Sequence, residues 1–157
     1  MGLTASRQPL SLKARALRWL ANREHSESEL RIKLQRAAGG AHSAAEIDAL
    51  LQQLAASGHL SNERFVESRL HARSGRFGNR RIELELRRHG VAIDADTQAQ
   101  LRASELTRAR EVWRKKFGTL AQDASGRARQ ARFLAARGFC AEVVHRIVSS
   151  DQDIESI

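Results

Sequence analysis

Apolar residues recur at intervals of three and four along nearly the whole chain, the period of one buried helix face. Leu12, Ala16, Trp19 and Leu20 predict a first helix from Leu12 to Asn22. Ser26 followed by Glu29 forms a capping box that starts a second helix near Glu27, with Leu30 and Leu34 inward and Gly39-Gly40 as its stop. A second box, Ser43 and Glu46, opens a third helix carrying Ile47, Leu50, Leu51 and Leu54 and closed by Gly58. Ser61 or Asn62 can cap a fourth, with Phe65, Val66 and Leu70. The stretch Ser74-Gly75-Arg76-Phe77-Gly78-Asn79 is the clearest breaker, and Asn79 is expected to cap a fifth helix, with Ile82 and Leu86 inward and Gly90 as its stop. Asp94 can cap a short sixth helix ending near Leu101. A seventh, from about Ser104 to Gly118, carries Leu106, Ala109, Trp113 and Phe117. Phe133 and Leu134 mark an eighth that stops at Gly138, and Val143, Val144, Ile147 and Val148 mark a ninth. No alternation over five or more residues occurs, so no strand is expected.

Three segments resemble one another: ELRIKLQRAAGG (29–40), IELELRRHG (82–90) and RQARFLAARG (129–138). Each is basic and amphipathic, with a Leu shortly before a Gly. Superposing Leu34, Leu86 and Leu134 gives a period of roughly 50 residues, in the range of helical arrays. The expected fold is all-α: three tandem three-helix repeats forming an elongated, curved array. The expected boundaries are a flexible arm (1–11), repeats at 12–58, 59–102 and 103–149, and an acidic tail (150–157). Each triplet is too small to bury much apolar surface alone, so neighbours should support one another.

Composition narrows the class of function. The chain has 157 residues, with 27 Lys and Arg against 18 Asp and Glu, a formal charge of +9. Only Lys13, Lys33, Lys115 and Lys116 are lysines, and Arg-rich surfaces suit phosphate or carboxylate partners. The single cysteine, Cys140, cannot form an internal disulfide, which fits a reducing cytosol. No apolar run reaches the roughly 20 residues of a membrane helix, so a cytoplasmic protein with no membrane contact is expected. His25, His42, His59, His71, His89 and His145 include no pair at i,i+3 or i,i+4, which leaves no metal site. Glu83 and Glu85 lie two apart on different sides of a helix, and Gly75–Gly78 lacks a phosphate-loop pattern. No catalytic residue and no cofactor site is expected.

The charge is unevenly placed. Residues 39–62 contain no Lys or Arg, whereas 63–89 carry eight Arg and 107–138 carry nine cations against Glu111 and Asp123. Helical spacing puts several on shared faces: Arg69, Arg73 and Arg76; Arg80 and Arg87; Arg81 and Arg88; Arg129 and Arg132. Arg73, Arg76, Arg80, Arg87, Arg114, Lys115, Lys116, Arg127, Arg129 and Arg132 are the candidate contacts to a partner or to DNA. The competing explanation is a solvated face with internal ion pairs, strongest for the stripe Arg81-Glu85-Arg88. Phe77 is by default a loop anchor, with base stacking as the alternative. Trp19, Trp113, Phe65, Phe117 and Phe133 are expected in the core.

The runs ALRWLANREHSESELRIKL, GHLSNERFVESRLHARSGRFGNRRIELELRRHGV and ARQARFLAARGFCAEVVHRIV resemble, in order and spacing, the three signatures of the RecX family, over residues 12–148. Two departures are Gly78-Asn79 where the family commonly has Gly-Pro, and the lack of any Tyr. The resemblance implies a non-enzymatic monomer of three helical repeats that binds RecA. It implies placement in the groove of the RecA–DNA filament, restraint of its ATPase and strand exchange in recombination, DNA repair and the SOS response, and single- or double-stranded DNA as a further partner. An autonomous, helix-turn-helix-like DNA-binding module is the alternative.

Overall fold

The structure is a computed structural model that describes residues 8–149. The acidic tail and residues 1–7 of the arm lie outside the described residues. Eight helices follow in order: α1 (Leu12–Asn22), α2 (Glu27–Ala38), α3 (Ala44–Ala56), α4 (Asn62–Arg73), α5 (Asn79–Arg88), α6 (Ala95–Lys116), α7 (Ala124–Ala136) and α8 (Ala141–Val148). No strand occurs among the described residues. The chain divides into two compact units, up to Phe65 and from Val66 onward, and the division falls within α4.

In the first unit Ser26 and Ser43 cap as their spacing predicts, and Ser11 caps α1 as well. Ser11, Ser26 and Ser43 Oγ each accept the amide three residues ahead, at 3.1 Å. Glu29, expected to serve the capping box, also takes the Arg23 guanidinium as an ion-pair partner. Gly39 ends α2 at φ +56°, a conformation glycine adopts without strain. Ala16, Leu30, Leu34, Ala38, Ile47, Leu51, Leu54 and Leu60 form the core, with Leu12, Leu17, Trp19, Leu20 and Leu50 packed against it. Trp19 is only half-buried, and Lys33 Nζ lies 4.5 Å from its ring centroid. Asn62 Oδ1 accepts the Glu27 amide at 2.9 Å, so the start of α4 caps α2, while Ser61 Oγ serves α4 itself.

His25 is 1% exposed, and its two ring nitrogens meet opposite partners. Nδ1 donates to Arg23 O at 3.0 Å, and Nε2 accepts from Lys33 Nζ at 3.2 Å. That set requires a neutral ring. Burial holds the imidazole below its ordinary value of 6.5, reinforced by the charges of Arg23 and Lys33 against the opposing backbone bond and the Glu29 charge.

The second unit departs from the nine-helix expectation. The short helix after Asp94 and the helix from Ser104 are one helix, α6, of 22 residues. Asp94 caps it, accepting the Thr97 amide at 2.7 Å, but the segment Leu101-Arg102-Ala103-Ser104 holds no Gly or Pro and continues helical. Ala109, Val112, Leu134, Phe139, Val144 and Ile147 form the core here, with Leu106, Trp113, Ala131, Phe133 and Val143 against it. Phe65, the last residue of the first unit, is buried as expected; in the second unit Phe139 is buried as well, whereas Trp113, Phe117 and Phe133 are half-buried. Trp113 Nε1 donates to Gln130 Oε1 (3.1 Å), and Gln130 Nε2 donates to Thr119 O (2.9 Å), tying α6 to α7 and to the loop between them.

Two residues of α6 organise this unit. Glu105, 4% exposed, accepts through one oxygen the amides of Asn79 (3.1 Å) and Cys140 (3.2 Å). A single carboxylate thereby satisfies the N-termini of both α5 and α8, where helices carry unpaired donors and partial positive charge. One turn on, Arg108 places all five of its donors. Nε reaches Ser104 Oγ, Nη1 reaches Ser74 O and Phe77 O, and Nη2 reaches Leu101 O and Asn79 Oδ1. Asn79 is therefore not the cap of α5, as its residue type suggests. Gly78 is the N-cap, and Asn79 is a buried first residue held from both sides.

Two outcomes are expected. Glu105→Ala strands the buried Asn79 amide and the half-buried Cys140 amide and costs about 3 kcal/mol in urea unfolding, whereas Glu105→Gln keeps an acceptor and costs about 1 kcal/mol. Because His25 is depressed in the folded state, its contribution is complete above 6.5 and is lost as pH falls below that value. The melting temperature should thus drop on acidification, with a shallower drop in His25→Gln.

Candidate partner-binding surface

Helix α5 has two unlike faces. Ile82 and Leu86 point inward, each 1% exposed. Arg80, Arg81, Leu84, Arg87 and Arg88 are exposed and recur at three to four residues. Leu84 is two residues from both buried positions, which turns it outward, 46% exposed amid the arginines.

This face borders a groove of about 890 Å³ whose opposite wall is the end of α7, at Ala135, Ala136 and Gly138. The two walls meet backbone to backbone. Gly78 N donates to Arg137 O at 2.8 Å, and Arg80 N donates to Gly138 O at 3.1 Å. A Cβ on Gly78 would lie 2.1 Å from Phe139 N, and one on Gly138, at φ +88°, would lie 2.5 Å from Arg81 Cβ. Glycine is required at both positions by this close approach.

One end of the groove is neutralised. Glu85 pairs with Arg69 and Arg73 of α4, each at 3.2 Å. The expected stripe Arg81-Glu85-Arg88 is therefore not how Glu85 is used, because the α4 arginines reach it across the helix pair. Among the described residues Arg80, Arg81, Arg87 and Arg88 have no carboxylate partner.

Phe77 stands at the head of the groove, only 8% exposed, which removes it as a stacking platform and makes it the loop anchor. Guanidinium carbons of Arg81 (4.0 Å), Arg76 (5.5 Å), Arg137 (5.5 Å) and Arg73 (5.9 Å) surround its ring centroid. The negative face of an aromatic ring attracts cations, so one buried phenyl gathers four of them.

The candidate residues thus separate. Arg73, Arg80 and Arg87 line the groove. Arg76 lies in the loop past the end of α4 and joins Lys115 and Lys116 at a second cleft of about 240 Å³. Arg114 is exposed beside Glu111 at 3.7 Å. Arg127 is tethered, its Nε donating to Ala121 O at 2.9 Å. Arg129 borders a third hollow with Asp123, and Arg132 is exposed on α7. Arg108, counted in the basic run by sequence, spends its charge inside. Leu84, Arg81, Arg88 and Arg137 join the surface. The off-stripe position of Leu84 was the available signal for it, while nothing local marks Arg137. Cys140 is half-buried, and burial raises its thiol above the ordinary range. Among the described residues no group of His, Cys, Asp and Glu could hold a metal, and no helix is long and apolar enough to cross a membrane.

A Regulatory protein RecX of Ralstonia nicotianae is 50% identical over 144 residues, covering 90% of this chain and 89% of that protein. The chain belongs to the RecX family. A Regulatory protein RecX of Herminiimonas arsenicoxydans is 46% identical over 148 residues, covering 93% and 96%. The family model described as RecX, third three-helix domain, matches residues 103–148, which run from within α6 to the end of α8. The crystal structure of RecX from Lactobacillus salivarius superposes with a TM-score of 0.70 at 15% identity, covering 93% of this chain and 96% of that one, so the helical RecX fold is shared. This chain's Gly78-Asn79 pair supplies the glycine that the α5–α7 junction demands and a following amide that Glu105 accepts.

Gly78→Ala should separate that junction, since the clash is with backbone and no side chain can yield. The expected cost is about 3 kcal/mol, read by urea unfolding.

Proposed function

We propose that this chain is a non-catalytic cytosolic regulator that binds RecA, lies in the groove of the RecA–DNA filament as a monomer, and restrains its ATPase and strand exchange. Membership of the RecX family supports the partner. The observation that carries the choice of surface is the α5–α7 groove, where unpaired Arg80, Arg81, Arg87 and Arg88 surround an exposed Leu84. Protein interfaces combine an apolar anchor with charges that set orientation and encounter rate, and this groove has both. Glu83 and Glu85 on the same lining make its charge mixed, which suits a protein partner better than a bare phosphate backbone. The three modules, 12–58, 59–102 and 103–149, are read as successive contacts along the filament, and the match of residues 103–148 to a third three-helix domain supports the last of them.

The test is a titration into RecA hydrolysing ATP on single-stranded DNA. The unmodified chain should slow hydrolysis at or below stoichiometric ratios, and no slowing at any ratio would sink the proposal. Arg80→Gln/Arg87→Gln should raise the concentration needed about tenfold, or about 1.4 kcal/mol. Leu84→Ala should act in the same direction without changing the salt dependence.

A further inference from the structure

The turn between α1 and α2 is buried, although turns ordinarily lie at the surface. Ser26 is used there as the cap of α2. His25 has a longer reach. Its Nε2 meets Lys33 Nζ, from the second turn of α2, at 3.2 Å, and that ammonium also lies 4.5 Å from the ring centroid of Trp19 on α1. One ammonium is thus seated between an imidazole of the turn and an indole of the preceding helix.

The seat depends on a single lone pair. An ammonium only donates, so Nε2 must be bare, with the ring proton on Nδ1 directed at Arg23 O. A proton taken from solvent onto Nε2 turns that acceptor into a donor aimed at a donor, and sets two positive charges together in a buried site. The charged groups that face the ring are Arg23, Glu29 and Lys33. Glu29 is the one acid among them, and its carboxylate already holds the Arg23 guanidinium. Of the neighbouring acids, Glu24 is held by Arg64 and Glu27 by Arg31. The side chain able to yield is Lys33, which is half-buried and can turn its ammonium to water.

The same turn grips the start of α4. Glu24 Oε1 accepts from Arg64 Nε at 2.9 Å, and the Glu27 amide donates to Asn62 Oδ1 at 2.9 Å. Residues on both sides of His25 and Ser26 therefore carry bonds to another helix of the first unit.

We propose that His25 is an acid-operated latch: a proton on its ring expels the Lys33 ammonium from its seat on Trp19 and loosens the turn that holds the start of α4. Burial, reinforced by the charges of Arg23 and Lys33, puts the transition below 6.5. The competing account is a static histidine that takes up a proton only when the protein unfolds.

The experiment is a pH titration of the full chain followed by NMR, with far-UV circular dichroism alongside. The imidazole nitrogens of His25 should show a bare Nε2 at neutral pH. On acidification the Trp19 indole and the Glu27 amide should shift with His25 at one midpoint below 6.5, while the helical signal is retained. His25→Gln should abolish the shared shift. Lys33→Met keeps an aliphatic stem on Trp19 and removes a repelling charge, so it should raise the midpoint; Glu29→Gln removes an attracting charge and should lower it. A proton on Nε2 at neutral pH would overturn the latch. So would titration of His25 only in step with loss of helix, or shifts at Trp19 and Glu27 that persist in His25→Gln. A midpoint indifferent to Lys33→Met would do the same. None of these readouts involves RecA, so the result is independent of the filament reading.

Discussion

The carboxylate of Glu105 accepts the leading amides of two helices from the middle of a third, and the placement of the basic surfaces depends on it. Without that bond the N-terminus of α5 would have a buried amide and a partial positive charge facing the interior, because its cap, Gly78, has no side chain to offer. Arg108 completes the arrangement by gripping Ser74 O and Phe77 O, so the loop before α5 is held by its own backbone. Both polar residues lie in the uninterrupted middle of α6. Were α6 two helices divided near residue 102, as its flanking motifs suggest, Glu105 and Arg108 would sit on a flexible first turn and would be poor supports.

From this node the surface chemistry follows by geometry. Fixing the start of α5 sets Gly78 against Gly138, and only a pair of glycines allows that approach. The approach in turn brings Arg81 of α5 and Arg137 at the end of α7 to the same phenyl ring, Phe77. A buried aromatic side chain, ordinarily an apolar filler, thus becomes the reason that four cations from separate elements converge. Phe77 divides them: Arg73 and Arg81 face the groove, while Arg76 and Arg137 face the cleft. One surface mixes signs around an exposed leucine, and the other sets four cations around Val112 and Phe133 with no carboxylate.

Much of the chain's fold is legible without coordinates. The serine caps at 26 and 43, the glycine stops at 39, 90 and 138 and the periodic leucines depend on neighbours within one or two turns, so local pattern suffices. The RecX signatures add the family for the same reason, since they are strings of adjacent residues. What fails is whatever depends on a distant partner. Glu85 looks like the middle of an α5 stripe because Arg81 and Arg88 are four and three residues away. Arg69 and Arg73, on another helix, are nearer in space. Asn79 looks like a cap because asparagine often is one, and only Glu105 and Arg108, 26 and 29 residues onward, reveal otherwise.

By itself the sequence determined a helical, Arg-rich protein of the RecX family, because helix period, capping and family signature are all short-range properties of the chain. Only the tertiary structure decided which cations are exposed for a partner and which are structural. Arg108 and Arg127 read like any other arginine in the basic third segment, yet both bond to backbone carbonyls. Arg137 attracts no notice along the chain, yet packing places it between two aromatic rings at a cleft. A charge is a property of a residue, while its availability depends on every group that folding brings within hydrogen-bonding distance.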